Sequence, residues 1–215
     1  MKIELWSDYV CPYCYIGERN LETALKALSD KENVEIVYKS FQLDPDASYE
    51  TTTTTKERVA KKYGYTMEQA QQMIDSVNSY ANSVGLDYHY ATTLYTNTFD
   101  AHRLAKYAAT KGKCNEISEK LFHAYFVENE KMSDHKLLTD IAVEIGLDKS
   151  EVEEVLKNED KFAADVRRDE EEAYSIGVRA VPFFLIDGKY TIAGAQSAEG
   201  MLRTLERVLA DNKEK

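Results

Sequence analysis

Two cysteines three residues apart, Cys11 and Cys14, enclose Pro12-Tyr13 where a short apolar run, Ile3-Glu4-Leu5-Trp6, gives way to a long helical stretch beginning near Tyr15. That pairing can do thiol redox chemistry. Residues i and i+3 on the first turn of a helix share a face, so their sulfurs can join as a disulfide. The N–H groups left free at a helix start, with the positive end of its dipole, favour a thiolate. Cys11 is therefore expected to be the exposed, reactive member, with its pKa below that of a free thiol. Pro12 suits the first helical position, because its missing N–H removes no helical hydrogen bond and its φ is already helical. A structural zinc site would need a second ligand pair, which a lone C-x-x-C does not supply.

The elements around this turn follow from periodicity. After the first strand, Ile16, Leu21, Ala24, Leu25 and Leu28 recur at helical spacing, with an expected end near Ser29-Asp30. Residues 34–41, Val-Glu-Ile-Val-Tyr-Lys-Ser-Phe, then read as a β-branched strand. A strand, a helix and a second strand of this length imply parallel pairing across a crossover. Leu43-Asp44-Pro45 breaks the pattern, and Thr51 to Thr55 reads as a surface loop, although five threonines could also begin a strand.

From about Lys56 to Ile176 nearly everything reads as helix. Thr66-Met67-Glu68-Gln69 has capping-box form, with a stop at Gly85. Asn97 or Thr98 is placed to cap a helix through Lys111 that Gly112 ends, and another helix covers 115–127. Ser133 is read as the cap of a helix ending at Gly146, Ser150 as the cap of a short one, and a last helix runs from about Lys161 to Ile176, stopped by Gly177. The pattern then returns to β at 182–186 and 190–193, joined by Asp187-Gly188, a two-residue hairpin signal. A final amphipathic helix over 198–209 carries Met201, Leu202, Leu205, Val208 and Leu209 on one face, behind Ser197 as its cap. The expected organisation is an α/β domain of residues 1–45 and 177–215, with an all-helical insertion at 46–176 after the second strand.

Composition narrows the partners. The chain has 215 residues, enough for a substantial core, and a formal net charge of −11 that argues against nucleic acid and anionic lipid. No segment approaches the roughly 18 apolar residues needed to span a bilayer. The start, Met1-Lys2-Ile3-Glu4, lacks the basic, apolar and small-residue regions of a secretion signal, so a cytoplasmic location is expected. Three cysteines, only two of them close in sequence, suit a reducing compartment in which a dithiol is catalytic.

Three segments in this order, Ser7-Asp8-Tyr9-Val10-Cys11-Pro12-Tyr13-Cys14-Tyr15-Ile16-Gly17, Asn97-Thr98-Phe99-Asp100-Ala101-His102-Arg103-Leu104 and Gly177-Val178-Arg179-Ala180-Val181-Pro182-Phe183-Phe184, make the chain resemble the DsbA-like thioredoxin-fold family, and within it the FrnE-like branch. The resemblance implies a thioredoxin-like fold with a large helical insertion and a thiol-disulfide oxidoreductase activity. Cys11 would form a mixed disulfide with a protein or low-molecular-weight thiol, and Cys14 would resolve it. The same resemblance implies that Val181-Pro182 is a cis-proline loop facing the dithiol, with Val181's backbone N–H and C=O presented to an extended substrate. By itself, Pro182 could as well be a trans proline opening an edge strand. No bound cofactor or metal is expected, with glutathione or another thiol as co-substrate.

The remaining candidates are weaker. Pro12 and Tyr13 lie between the cysteines, and Tyr9, Tyr13 and Tyr15 flank them closely enough for one or two to line an apolar groove. His102, after Asp100, could shuttle a proton or contact substrate, although a lone histidine is more often structural. Asn97 is explained by capping, and His89, His123 and His135 form no ligand spacing. Cys114, after Gly112-Lys113 and between two helices, reads as an exposed regulatory thiol or a small packing residue. A second activity class is a glutathione-dependent isomerase or transferase, similar to kappa-class transferases and 2-hydroxychromene-2-carboxylate isomerases. Those proteins usually carry serine where Cys11 stands. A chaperone or metal-binding module is a third reading, with no motif behind it.

Overall fold

The computed structural model describes residues 1–29 and 33–213. These fall into two compact units, one of residues 1–43 and 169–215, the other of residues 44–168.

The first unit is built on a four-stranded sheet in the order β2-β1-β3-β4. Strand β1 (Lys2–Ser7) pairs in parallel with β2 (Glu35–Ser40), in register from Lys2 opposite Glu35 to Ser7 opposite Ser40. The crossover between them is α1 (Pro12–Ala27). It starts at Pro12, three residues earlier than the apolar periodicity suggested, and its C-cap is Leu28. Ser29 lies past that cap, and Asp30, the other residue of the expected end, lies outside the described residues. Strand β3 (Phe183–Ile186) runs antiparallel to β1, and β4 (Tyr190–Ala193) antiparallel to β3. Their hairpin turns at Asp187 and Gly188 with φ of 49° and 66°, the backbone of a type I′ turn.

Alternation along the strands gives this sheet two different faces. Ile3, Leu5, Phe184, Ile186 and Ile192 point to one side, where they join Leu21, Ala24 and Leu28 of the α1 region and Met201, Leu205 and Val208 of α9 (Ala198–Lys213) in one apolar core. The opposite face carries Trp6 and Lys39. Trp6 donates its indole N–H to the carbonyl oxygen of Asp169 at 2.9 Å, and Lys39 bonds Glu172 at 2.8 Å. Asp169 also accepts the Ser40 N–H, and Glu170 the Gln42 N–H. These bonds explain why the first unit reaches back to Asp169, inside α8 (Ala163–Ser175), rather than starting at Gly177.

The second unit is helical, with α2 (Thr55–Tyr63), α3 (Met67–Ser83), α4 (Phe99–Thr110), α5 (Cys114–Phe126), α6 (His135–Glu144) and α7 (Lys149–Lys157). The threonine run does not end as loop: Thr54 caps α2, trading hydrogen bonds with Glu57 as Thr66 does with Gln69 at α3. Two caps fall one or two residues from the serines expected to supply them. Asp134 accepts the N–H groups of Lys136 and Leu137 at α6, while Ser133 bonds the Tyr49 carbonyl. Asp148 caps α7 and also holds the Ser150 hydroxyl. An aspartate accepts more strongly than a serine in the same turn, because its charge also meets the helix dipole. Residues 86–98, between the expected stop at Gly85 and the expected cap at Asn97 or Thr98, are largely irregular, with one 3-10 turn at Tyr90–Thr92.

Arg103 on α4 is fully buried and binds this unit together. Its guanidinium donates to the carbonyl oxygens of Val155, Asn158 and Lys161, which cluster at the C-terminal end of α7, and to the Asp100 carboxylate. A buried guanidinium is tolerated because its donors all find acceptors. Asp100 in turn bonds His135 at 2.7 Å.

Candidate active site

The site begins where β1 ends. The chain leaves Ser7, turns with Cys11 N–H bonded to the Asp8 carbonyl at 3.0 Å, and enters α1 with Cys11 at the N-cap and Pro12 next. Asp8 is buried, and its carboxylate accepts the Leu43 N–H at 2.8 Å, tying the turn to the segment that follows β2. Cys14 N–H closes the first helical turn on the Cys11 carbonyl at 3.0 Å. Cys11 makes no side-chain capping bond, so its thiol is left for other contacts.

Both cysteines are free thiols. Cys11 is 4% exposed and Cys14 fully buried. The expectation of an openly exposed Cys11 is thus corrected: only a sliver of it reaches the surface, because its Sγ lies 3.5 Å from the carbonyl oxygen of Val181, to which the thiol can donate. The Val181–Pro182 peptide bond is cis. Pro182 packs on α1 opposite Gly17, where an added Cβ would stand 2.9 Å from the proline Cγ and 3.4 Å from Phe184 Cζ.

Burial pushes the Cys14 thiol well above the usual thiol range, and its hydrogen bond with Cys11 and the charge of a Cys11 thiolate add to this. The Ser7 hydroxyl and the Asp8 backbone N–H act the other way. Polar hydrogens beside a sulfur favour its thiolate. The Ser7 Oγ is buried and makes no hydrogen bond among the described residues.

Of the other residues named from sequence, Pro12 is buried in the first helical position and Tyr13 is 43% exposed between the two cysteines. Tyr9 and Tyr15 are core residues rather than groove walls, the Tyr15 ring carrying the Arg19 guanidinium 5.5 Å from its centre. His102 sits on α4 in the helical unit, buried, with its backbone N–H on the Thr98 carbonyl. Asn97 accepts the Phe99 N–H, as a cap does, and also donates to the carbonyls of Pro45 and Ala47. Cys114 is the first residue of α5 rather than part of a connection, and is half-buried.

Sequence reasoning missed Ser7 and Asp8 as neighbours of the resolving sulfur. It also missed the charge cluster on the far sheet face, where Lys39 meets Glu172 at 2.8 Å, Asp169 at 3.5 Å and Glu4 at 3.8 Å. Burial lowers the Lys39 pKa, but these carboxylates outweigh it and the net shift is upward. Glu4, an acid within an apolar strand, was the one local signal of that cluster. Among the described residues no group of three or more His, Cys, Asp or Glu side chains is arranged to hold a metal ion, and no helix is long and apolar enough to cross a membrane.

A β-α-β unit completed by an antiparallel hairpin, with a dithiol at the start of its first helix and a proline loop against that helix, defines a thioredoxin-type domain. Residues 2–206 match the DSBA-like thioredoxin domain, and the chain belongs to that family. It is 35% identical to a probable DsbA oxidoreductase from Streptomyces coelicolor, whose structure superimposes with a TM-score of 0.94 over 98% of this chain and 90% of that one. A 2-hydroxychromene-2-carboxylate isomerase shares the fold at 14% identity, TM-score 0.75, covering 100% and 98% of the two chains. So does the cytosolic disulfide reductase DsbM of Pseudomonas aeruginosa, solved with glutathione, at 12% identity, TM-score 0.67, covering 98% and 100%.

Proposed function

We propose that this protein is a thiol-disulfide oxidoreductase of the FrnE-like branch, working in a reducing compartment such as the cytoplasm. The observation that carries the reading is the placement of Cys11 and Cys14 on one helical turn, with the Val181 carbonyl 3.5 Å from the Cys11 sulfur. In the reducing direction the Cys11 thiolate attacks one sulfur of a substrate disulfide. A Cys11–substrate S–S bond forms, the substrate's own S–S bond breaks, and the departing thiolate takes a proton from water. Cys14, deprotonated to solvent, then attacks Cys11 Sγ. The intramolecular disulfide forms, the mixed disulfide breaks, and the second substrate sulfur leaves as a thiolate. The oxidised pair is returned to the dithiol by two equivalents of a low-molecular-weight thiol such as glutathione, which ends as its own disulfide.

Val181 and Pro182 contribute binding rather than chemistry. An extended substrate chain next to Cys11 can pair with the Val181 backbone as an added strand, and the exposed Tyr13 ring and the buried Pro12 border the same sulfur. Partners are therefore protein and small-molecule thiols or disulfides, with the charge of −11 disfavouring nucleic acid and membrane surfaces.

An insulin-reduction assay with Cys11→Ser and Cys14→Ser tests the reading. Cys14→Ser should trap a mixed disulfide on Cys11 that mass spectrometry detects. Full activity in Cys11→Ser would sink it. Equilibration of the pair against glutathione assigns the working direction.

A further inference from the structure

The segment Cys14-Tyr15-Ile16-Gly17 carries a residue that the exchange chemistry does not call for. Gly17 lies inside α1, where glycine costs about 1 kcal/mol relative to alanine. It is not there for backbone freedom, since its φ is not positive as it is for Gly64, Gly85 and the other glycines at helix ends and turns. What distinguishes it is closeness. A Cβ would meet Pro182 Cγ at 2.9 Å, Phe184 Cζ at 3.4 Å and Pro182 Cβ at 3.5 Å, whereas seven of the other eight glycines have open space at that point. A proline ring cannot swing aside as a flexible side chain does, and Phe184 is fully buried in the core, so a methyl group at position 17 displaces the Pro182 segment itself. That segment carries Val181, whose carbonyl stands 3.5 Å from Cys11 Sγ.

We propose that Gly17 is a positioning residue: its bare Cα lets the Pro182 ring seat on α1, and this seating holds the Val181 backbone at the distance from Cys11 that an extended peptide disulfide requires. The inference rests on the exchange reading of Cys11 and Cys14 and names the substrate class of that site. A peptide disulfide uses both the Cys11 sulfur and the Val181 backbone. A small disulfide without a peptide chain, such as hydroxyethyl disulfide, uses the sulfur alone. Gly17 therefore selects between the two without touching either.

The test is the ratio of the reaction rates of reduced full-length protein with a peptide disulfide and with hydroxyethyl disulfide. In Gly17→Ala the peptide rate should fall about tenfold or more, since displacements of about 1 Å cost rates of that order, mostly through KM. The hydroxyethyl disulfide rate should stay within about twofold, because the sulfur's own chemistry is unaltered. General loosening of the fold would lower both rates together, and that result, or an unchanged ratio, overturns the proposal. A cycle with Pro182→Ala guards against a variant that folds poorly. Once the ring Cγ is removed, alanine at 17 should bring no further loss in the ratio, and a full additional loss would also overturn it. Failure of the underlying reading looks different: Cys14→Ser with Gly17 intact would then trap no mixed disulfide with either substrate.

Discussion

Among the described residues two helices start at a cysteine, and the redox site proposed above lies at one of them. Cys11 caps α1, in the sheet-bearing unit, and Cys114 opens α5, in the helical one. Both therefore have a helix dipole behind them and free N–H groups nearby. Around Cys114 little else is arranged. Burial pushes its thiol upward, the Lys106 charge pulls it down, and Glu116 pushes it up again. Around Cys11 stand a second thiol one turn away and the Val181 carbonyl at 3.5 Å, with the Ser7 hydroxyl and the Asp8 backbone acting to lower the pKa of the partner sulfur. A helix start makes a thiolate less costly, but exchange also needs a resolving sulfur, a way to charge it, and a backbone to hold the substrate. The β1–α1 turn has these because a strand end, a helix start and the Val181-Pro182 segment converge there.

Removal of the two sulfurs should divide the regions most sharply. Cys11→Ser is expected to reduce insulin-reduction activity to background, because no other described cysteine has a partner thiol beside it. If Cys11→Ser remained active and Cys114→Ser did not, the comparison would be reversed.

Alkaline pH should separate them next. The Cys14 pKa is raised in the folded protein, so between the unfolded thiol's value of about 8.5 and the folded one the native state holds a proton that the unfolded chain has lost. Stability then falls as pH rises, by up to about 1.4 kcal/mol per pH unit for one thiol. Below about pH 8 the contribution is constant. Urea unfolding of the reduced protein at several pH values between about 8 and 10 should show this slope. It should be absent once Cys11 and Cys14 are joined as a disulfide, since neither sulfur then titrates. A slope that survives oxidation unchanged would assign it to some other group.

How far the sequence reveals the two regions follows from the range of the interactions involved. The dithiol, Pro12 at the first helical position and the Asp187-Gly188 hairpin depend on residues a few places apart, and their spacing shows in one dimension. The contact of Cys11 with Val181 spans 170 residues, and the family resemblance suggested it where periodicity could not. Nothing local in the helix over 161–176 marks Asp169 and Glu170 as buried, yet they are, because they hold the N–H groups of Ser40 at the end of β2 and of Gln42 just beyond it. Cys11 was expected to be open to solvent because a helix start usually is. The Val181 segment that approaches it comes from the far end of the chain. Asp134 and Asp148 took the caps expected of Ser133 and Ser150, a contest between neighbours that a residue-type rule resolves only to within a turn.

Ser7 sharpens the comparison more gently, because its buried hydroxyl acts to lower the Cys14 pKa against the effect of burial. Ser7→Ala should raise the Cys14 pKa further, because a polar group that favours the thiolate is removed. The loss of thiolate is partly offset by the greater nucleophilicity of a more basic sulfur, so resolution at neutral pH should slow by no more than about threefold. The pH at which resolution is half-maximal should move up. Quenched-flow mass spectrometry of the Cys11 mixed disulfide with glutathione reads both. Ser7→Thr, which restores a hydroxyl, should recover most of the rate, and identical kinetics in Ser7→Ala would show that the hydroxyl does not serve Cys14.

The smallest effect should come from Cys114. Its thiol is half-buried and its pKa is raised mainly by burial, so at neutral pH it is a neutral, weakly polar side chain about the size of serine. Cys114→Ser exchanges a weak donor for a stronger one at a helix start where free N–H groups and solvent are both within reach. Stability should therefore change by no more than about 0.5 kcal/mol. Insulin reduction should match that of the unaltered protein, since the substitution leaves α1, Ser7 and the Val181 segment untouched. A clear loss of activity in Cys114→Ser, with the melting temperature retained, would show that α5 contributes a thiol to the exchange, and the contrast between the two helix starts would have to be withdrawn.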